Sequence, residues 1–234
     1  MGVRDLLLRA RRMGFEGPFY TGVTGKLRFV LESTVSRDEI IFVATPGSPA
    51  AAHVKSVAGL EVREAQSHQE LGVFAADVDH EYYPGCFDGW QAPFTWGERA
   101  MVATIEGKLA GVAWVQRGTA DGFPTYYNRL LAGDARILRV GVLPSFRRRG
   151  VNSALLAATL THLFASGATR VYIECYKRNT PSLRSFLRVG FSAVGLIQVI
   201  ETPGLRSFVR WRGQDALRRT LTTYGGVTNR PASS

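Results

Sequence analysis

The chain has 234 residues, which is enough for one large domain or for one domain with a small extension. Its hydrophobic share of 45% and charged share of 21% are typical of a soluble globular protein, and no apolar run reaches the roughly 18 residues that a membrane-spanning helix needs. The net charge of +10 favours an anionic ligand such as a phosphate compound or an acidic carrier protein, whereas charge alone argues only weakly for nucleic acid.

The N-terminal stretch and the cysteines predict the cellular setting. Residues 1–17 carry charges on both sides of a short apolar patch and lack a small-residue cleavage site, so they do not predict a signal peptide. Cys86 and Cys175 lie far apart and neither belongs to a metal-ligand spacing, which predicts reduced thiols and no metal site. The sequence therefore predicts a cytoplasmic protein without a bound metal.

Residues 1–59 differ in pattern from the rest of the chain and predict an N-terminal β-hairpin extension. The stretches 26–32 (KLRFVLE) and 39–46 (EIIFVATP) are rich in β-branched and aromatic residues, which is typical of strands, and the polar residues between them predict a turn. The main domain is expected over residues 60–225, and the tail 226–234 is expected to be disordered.

The main domain alternates strands and helices in a mixed α/β order. Strands are predicted at 60–65, at 99–118 on both sides of a tight turn, at 134–144, at 169–176, and twice within 191–213. Helices are predicted at 67–83 with Ser67 as the N-cap, at 151–166, at 180–190 with Gly190 as the end, and at 215–224. A loop rich in proline, glycine and aromatic residues fills 84–98.

Three consecutive arginines, Arg147, Arg148 and Arg149, stand directly before Gly150 and the helix predicted at 151–166. A helix start offers unpaired backbone N–H groups and a partial positive charge, and Gly150 lets the chain approach a ligand without a Cβ in the way. Because arginine at a helix start is unfavourable without an anion, this turn predicts a phosphate site. It matches neither the P-loop pattern nor the dinucleotide-binding pattern.

The stretch 140–163 (VGVLPSFRRRGVNSALLAATLTHL) resembles the central motif of the GCN5-related N-acetyltransferases (GNAT), V-x-P-x-x-[RQ]-x-x-G-x-[GA], with Arg147, Gly150 and Asn152 on its last three marked positions. The stretch 171–191 (VYIECYKRNTPSLRSFLRVGF) resembles the second motif of that family, which is a strand, an Asn, a short helix and a Gly-Phe pair. The two motifs stand in the family's order, and the resemblance covers residues 60–213.

The resemblance implies an α/β (α+β) GNAT fold, in which helices flank a mixed, mostly antiparallel central sheet whose two central strands splay apart into a V-shaped cleft. It also implies acetyl-CoA or another acyl-CoA as the donor, and no metal. Backbone groups of two valines would pair with the pantetheine arm, the N–H groups of 148–153 would hold the pyrophosphate, and an asparagine would bind the pantetheine or the acyl region. The cofactor-binding residues expected from the resemblance are Val140, Val142, Arg147, Arg148, Arg149, Gly150, Val151, Asn152, Ser153, Asn179, Ser182 and Phe186.

The implied chemistry is direct attack of an amine on the thioester carbonyl, with a backbone N–H of 138–142 holding the oxyanion. Glu174 is the candidate base, and the alternative is a structural carboxylate paired with an arginine. Loop 82–96 could line the acceptor site. The resemblance also implies that the titratable groups of Asp77, Asp79, His80 and Glu81 lie near the helix that borders the acceptor side, and the alternative is a solvated helix end.

Three positions depart from the family pattern. Asn152 stands where Gly or Ala is usual, and asparagine tolerates a left-handed backbone and adds an amide donor. Arg136 stands where histone-type members carry a glutamate. Phe186 stands where many members carry a tyrosine that protonates the leaving thiolate, so the thiolate leaves unaided or takes a proton from another group. The alternative donors are Ser185, Tyr172 and Tyr176.

The resemblance therefore implies an N-acyltransferase that moves an acetyl or other acyl group from CoA to the amine of a small molecule or an amino sugar. One alternative takes the acyl group from an acyl carrier protein, whose acidity would suit the basic surface of the chain. Another is a non-catalytic CoA-binding module, motivated by Phe186 and Arg136. Nucleic acid is the least supported partner.

Overall fold

The computed structural model describes residues 36–47, 54–74, 91–95, 97–124, 129–200 and 208–213. The strands in these ranges are β1 Ser36–Ala44, β2 Leu60–Ala65, β3 Arg99–Ile105, β4 Lys108–Arg117, β5 Phe123–Pro124, β6 Arg129–Leu130, β7 Asp134–Val142, β8 Arg170–Tyr176, β9 Ser192–Ile200 and β10 Phe208–Gly213. The helices are α1 His68–Gly72, α2 Gln91–Thr95, α3 Val151–Ala165 and α4 Thr180–Arg188, and a 3₁₀ turn covers Pro144–Phe146. The strand predicted at 26–32, the helix predicted at 215–224 and the tail 226–234 lie outside the described residues.

Eight strands form one sheet in the order β10-β9-β1-β8-β7-β4-β3-β2, and β5 and β6 form a separate pair. Neighbouring strands of the large sheet are antiparallel except β7 and β8, which run parallel. The expected fold class is therefore confirmed, because the sheet is mixed, mostly antiparallel and packed against helices.

Apolar side chains cover both faces of the sheet. Eight consecutive residues of β4 are buried, which is typical of a strand that is covered on both sides. Trp114 of β4 and Leu71 of α1 belong to the core on one face. On the other face α3 buries a stripe that consists of Val151, Leu155, Leu156, Leu160 and Leu163.

Local sequence signals position three element ends as expected. The Ser67 side chain accepts a hydrogen bond from the Glu70 N–H at 3.4 Å and caps α1. Glu106 and Gly107 have φ of 52° and 74°, the left-handed pair of a two-residue hairpin turn between β3 and β4. Gly190 has φ of 91° and ends α4, and the next N–H reaches back to the carbonyl of Phe186 at 3.0 Å.

Strand β1 differs from the sequence-based expectation of a separate hairpin. It lies inside the large sheet, with Glu39–Ala44 paired to β8 and Ser36–Val43 paired to β9, so both of its edges are occupied by strands of the main domain. Its apolar run, IIFVA, is typical of a strand buried on both faces. The partners of such a strand follow from the tertiary fold, because local sequence does not specify a pairing over this distance along the chain.

Candidate functional site

The two parallel strands of the sheet separate along their length. Strands β7 and β8 pair only from Asp134 opposite Arg170 to Ile137 opposite Ile173, although β7 continues to Val142 and β8 to Tyr176. Beyond that point β7 stays paired to β4 and β8 stays paired to β1. Each strand is thus held at its outer edge, and no strand among the described residues pairs with its inner edge beyond this point. The result is a V-shaped cleft, which we call the fork.

A bulge bends β7 at the start of its open part. The register with β4 shifts between Val112 and Trp114, so that Arg139 and Val140 together face the single residue Ala113. Arg139 has φ of 40°, in the left-handed region that non-glycine residues rarely adopt. An extra residue in one strand bends it and increases its twist. The bulge therefore bends β7 directly after its pairing with β8 has ended.

Val142 presents its backbone groups to the inner edge of β7. The Leu143 N–H donates to the Ala110 carbonyl of the β4 strand edge at 2.9 Å, and N–H groups point to opposite edges at successive strand residues. Alternation then places the N–H and C=O groups of Val142 on the inner edge of the fork, whereas Val140 belongs to the bulge and its place on that edge stays a prediction. The Val142 carbonyl also accepts from Arg147 Nε at 3.4 Å. An edge of this kind suits a ligand that pairs like a strand.

The segment 147–150, which we call the arginine turn, leads from β7 into α3 at the mouth of the fork. Gly150 is the N-cap of α3 with φ of 87°, and Arg148 has φ of 63°, so two residues of this short turn are left-handed. The first helical hydrogen bond runs from the Ala154 N–H to the Gly150 carbonyl at 3.0 Å. The first turn of α3 contains no acidic residue, and no side chain caps it. The N–H groups of residues 151–153 are therefore without helical partners and fit an anion.

The three arginines of the turn differ in their surroundings. Arg147 is half-buried through its contact with the Val142 carbonyl, whereas Arg148 and Arg149 are exposed. The Arg149 guanidinium lies 5.7 Å from the centre of the Phe146 ring, which keeps its charge beside the helix start. The positive charge at this end of α3 therefore comes from both side chains and backbone.

Asn179 lies at the other side of the mouth, because β7 and β8 are parallel and their ends open at the same edge of the sheet. Its Oδ1 accepts a hydrogen bond from the Ser182 N–H at 3.3 Å and caps α4. The cap uses the side-chain oxygen and leaves the amide nitrogen as a donor. The structure thus brings Asn179 and the start of α4 to the same mouth as the start of α3.

Phe186 lies in the core. It is 3% exposed, and its ring contacts Phe42 at a centroid distance of 5.5 Å and Phe191 at 5.9 Å. These contacts explain why an aromatic residue without a hydroxyl suits this position. A contact between the Phe186 side chain and a ligand stays a prediction.

Glu174 forms an ion pair with Arg136 across the fork. Arg136 Nε donates to Glu174 Oε2 at 3.0 Å, and Arg136 Nη2 donates to Oε1, with 11% and 13% of the two side chains exposed. The pair joins β7 to β8 where their backbone pairing ends. The sequence left two roles open for Glu174, a catalytic base or a structural carboxylate paired with an arginine. The structure shows such an arginine partner, and transfer of a proton to Glu174 stays a prediction.

The alternative proton donors occupy different environments. Tyr172 is 2% exposed, and burial raises the pKa of its phenol to about 12, so it holds its proton. Tyr176 ends β8 beyond the last pair with β7 and is half-buried.

Burial, together with the charges of Glu174 and Glu39, raises the pKa of the Cys175 thiol to about 12. The Cys175 thiol is therefore neutral at ordinary pH and not a nucleophile.

Several residues singled out from the sequence lie outside the described residues. They are Asp77, Asp79, His80, Glu81, Cys86 and most of loop 82–96. Phe94 of that loop is described and lies in α2, with its ring 5.6 Å from the ring of Trp114. The described part of the chain has no cluster of three or more His, Cys, Asp or Glu residues placed for a metal ion. Its longest helix, α3, has 15 residues, and none of its helices meets the length and hydropathy of a membrane span.

One charged cluster beside the fork escaped the sequence reasoning. Glu98 is 5% exposed and forms an ion pair with Arg139, the bulge residue of β7. The Arg139 guanidinium also lies 5.5 Å from the centre of the Trp114 ring. A signal was present in the sequence, since the alternation of β7 breaks at the adjacent apolar residues Ile137 and Leu138.

The chain is similar to proteins of a known family. The model of the acetyltransferase (GNAT) family matches residues 61–191. A mycothiol acetyltransferase from Clavibacter sepedonicus is 30% identical over 133 residues, which covers 56% of this chain and only 37% of that protein.

Solved structures with a similar chain path include a GCN5-related N-acetyltransferase from Kribbella flavida, with 18% identity, a TM-score of 0.47, and coverage of 76% of this chain and 64% of that one. An aminoglycoside N-acetyltransferase in complex with CoA has 19% identity, a TM-score of 0.42, and coverage of 59% of this chain and 90% of that one.

Proposed function

Since the chain belongs to the acetyltransferase (GNAT) family, we propose that it is an acyl-CoA-dependent N-acyltransferase that acetylates or acylates the amine of a small molecule or an amino sugar. The observation that carries the proposal is the fork, whose open β7 edge leads directly into an arginine turn and the uncapped start of α3. The similarity to a mycothiol acetyltransferase supports a small acceptor. The cytoplasm, where acyl-CoA is made and used, is the proposed location.

The donor is proposed to lie along β7 with its phosphates at the arginine turn. The pantetheine amides would pair with Val142, whose backbone groups face the inner edge, and with Val140, two residues before it on the same strand. The pyrophosphate would accept from the N–H groups of 148–153, including those of Val151, Asn152 and Ser153, and from the guanidinium groups of Arg147, Arg148 and Arg149. Gly150 has no Cβ, and the space where a Cβ would lie is open to Val57 Cγ2 at 3.6 Å, so this space is available to the pyrophosphate.

Asn179 and Ser182 would complete the donor site from the β8 side. The Asn179 amide nitrogen is the donor that the α4 cap leaves unused. The acyl group would reach the bulge of β7, where a backbone N–H of 138–142 stabilises the oxyanion.

The proposed reaction is direct acyl transfer. The amine nitrogen attacks the thioester carbonyl carbon, the C–N bond forms, and the C–S bond breaks. The amine loses one proton and the thiolate gains one, so that the products are an amide and free CoA. Glu174 is the proposed acceptor of the amine proton. Tyr176 is favoured over Tyr172 as the donor to the thiolate, because it lies on β8 beyond the last pair with β7 and is less deeply buried.

Two measurements on the full chain test this function. Calorimetric titration with acetyl-CoA, a longer acyl-CoA, and an acylated carrier protein identifies the donor. Release of free CoA thiol in the presence of amino sugars and other small amines detects turnover. Binding of acetyl-CoA with turnover on at least one amine supports the enzyme, binding without any turnover supports a CoA-binding module, and failure of every acyl-CoA to bind overturns the proposal.

A further inference from the structure

Strand β7 is tied to its surroundings by two arginine–glutamate pairs that point in opposite directions. Arg136 reaches across the fork to Glu174 on β8. Three residues later Arg139 reaches the other way, to Glu98 directly before β3. The carboxylate of the second pair is the more deeply buried of the two, because only 6% of the Glu98 side chain is exposed. The bulge of β7 lies at the residue that makes this second contact.

The backbone of Arg139 is in a conformation that needs outside support. Its φ of 40° is unfavourable for a residue with a Cβ, and in the described residues the other positive-φ positions outside glycine are in turns. The side chain supplies that support by its ion pair with Glu98 and by its position 5.5 Å over the buried Trp114 ring. Trp114 is itself fixed by the Phe94 ring at 5.6 Å.

The bulge sets the direction of the inner edge of the fork. Pairing between β7 and β8 ends at Ile137, and the bulge follows at Arg139 and Val140. Without the extra residue, β7 would continue with regular alternation, and its residues 140–142 would present different groups to the cleft. The side-chain contacts of Arg139 therefore act on the backbone that faces the ligand.

We propose that Glu98 is a positioning residue for the acyl donor, which acts through Arg139 by holding the β7 bulge that aims the Val140–Val142 edge into the fork. Glu98 itself is not proposed to touch the donor or the acceptor. The inference rests on the proposed function for its ligand, because acyl-CoA is the molecule whose affinity would report the geometry of that edge. Its structural content, the hold of Glu98 on the bulge, is independent of any ligand.

The experiment compares Glu98→Gln with a control and with a rescue variant in the full chain. Glu64→Gln is the control, because Glu64 also pairs with a side chain of another element, His162 at 2.6 Å, but lies on β2. The rescue variant combines Glu98→Gln with Arg139→Gly, since glycine adopts a positive φ without side-chain support and leaves no buried lone charge. The readouts are the Kd of acetyl-CoA by calorimetry and amide hydrogen exchange of 138–143 without ligand.

The expected result is that Glu98→Gln weakens acetyl-CoA roughly ten- to hundredfold and speeds exchange over 138–143, as a small displacement of a binding edge does. The control should change neither, and the rescue variant should return to within about threefold of the wild-type Kd. Unchanged exchange and Kd in a folded Glu98→Gln protein would overturn the inference, as would a rescue variant that binds as poorly as the single variant.

Two further outcomes are also decisive. If Glu98→Gln does not fold, the rescue variant decides the question by its Kd and exchange. If the wild-type protein binds no acyl-CoA, the proposed function fails, and hydrogen exchange alone then shows whether Glu98 holds the bulge.

Discussion

Replacing Gly150 by alanine and by glutamate separates the backbone conformation of the arginine turn from its charge. An added Cβ meets only Val57 Cγ2 at 3.6 Å, an ordinary contact, so neither variant creates a clash at the Cβ. Both lose the ease with which glycine adopts φ of +87°. That left-handed conformation costs a residue with a Cβ about 1–2 kcal/mol. The free energy of unfolding should therefore fall by about this amount in Gly150→Ala.

Glutamate adds a charge where the donor's pyrophosphate is proposed to bind. At a separation of roughly 5 Å and an effective dielectric constant of about 20, each pair of like unit charges costs about 3 kcal/mol, and the exposure of this turn lowers that figure. A total loss of about 3 kcal/mol corresponds to more than a hundredfold weaker binding. The same carboxylate interacts favourably with the uncapped start of α3, by about 0.5 kcal/mol. Gly150→Glu should therefore be more stable than Gly150→Ala and yet bind acetyl-CoA far more weakly.

The assay is calorimetric titration of acetyl-CoA into the three proteins, with urea unfolding of each as the measure of stability. We expect Gly150→Glu to be the more stable of the two variants and Gly150→Ala to bind acetyl-CoA more tightly, because the added carboxylate repels the ligand. Equal affinities for acetyl-CoA in folded Gly150→Ala and Gly150→Glu would refute the placement of the pyrophosphate at this helix start.

Three other predictions concern the β8 side of the fork. Glu174→Gln should lower kcat by roughly 10²–10⁴-fold with little change in the KM of acetyl-CoA, and an unchanged kcat would leave Glu174 with its ion-pair role alone. Asn179→Asp should keep the α4 cap and the unfolding free energy but weaken acetyl-CoA, whereas Asn179→Ala should also lose about 1 kcal/mol of stability in urea unfolding; equal affinity of wild type and Asn179→Asp would contradict a role for the amide. Burial raises the pKa of Tyr172 from 10.0 and that of Cys175 from 9.0 to about 12 in each case. Because the unfolded chain loses these protons at a lower pH than the folded protein does, the free energy of unfolding should be unaffected below pH 9 and should fall as the pH rises from 9 toward 12. Cys175→Ala should make that fall shallower when unfolding is measured at pH 8 and pH 10.5, and an identical slope would disagree with the burial of the thiol.

The elements with local signals were predictable from the sequence. A hydroxyl before the first turn of α1, a Glu-Gly pair between β3 and β4, and Gly190 after α4 each act within a few residues of the chain. The arginine turn was predictable for the same reason, because its charges, its glycine and its helix are consecutive. The two family motifs lie on β7, α3, β8 and α4, which are the elements that form the fork.

The rest depended on contacts between distant residues. The place of β1 between β8 and β9 could not be read from IIFVA, since that pattern indicates burial and names no partner strand. The partner of Glu174 was left open because several arginines could have reached it, and only the register of β7 against β8 brings Arg136 into place. Glu98 and Arg139 meet across β4, a neighbourhood that the sequence spacing does not reveal.

The position of β1 also has consequences for how the protein is made. Residues 36–44 leave the ribosome before their partners in β8 and β9, which are synthesised well over a hundred residues later. During that interval the apolar strand β1 has no partner strand at either edge. This favours slow folding and makes aggregation at high expression a hazard. A shortened protein that begins at residue 61, where the family match begins, would lack the strand that joins β8 to β9, and we expect it to be insoluble unless a peptide of residues 36–44 is supplied.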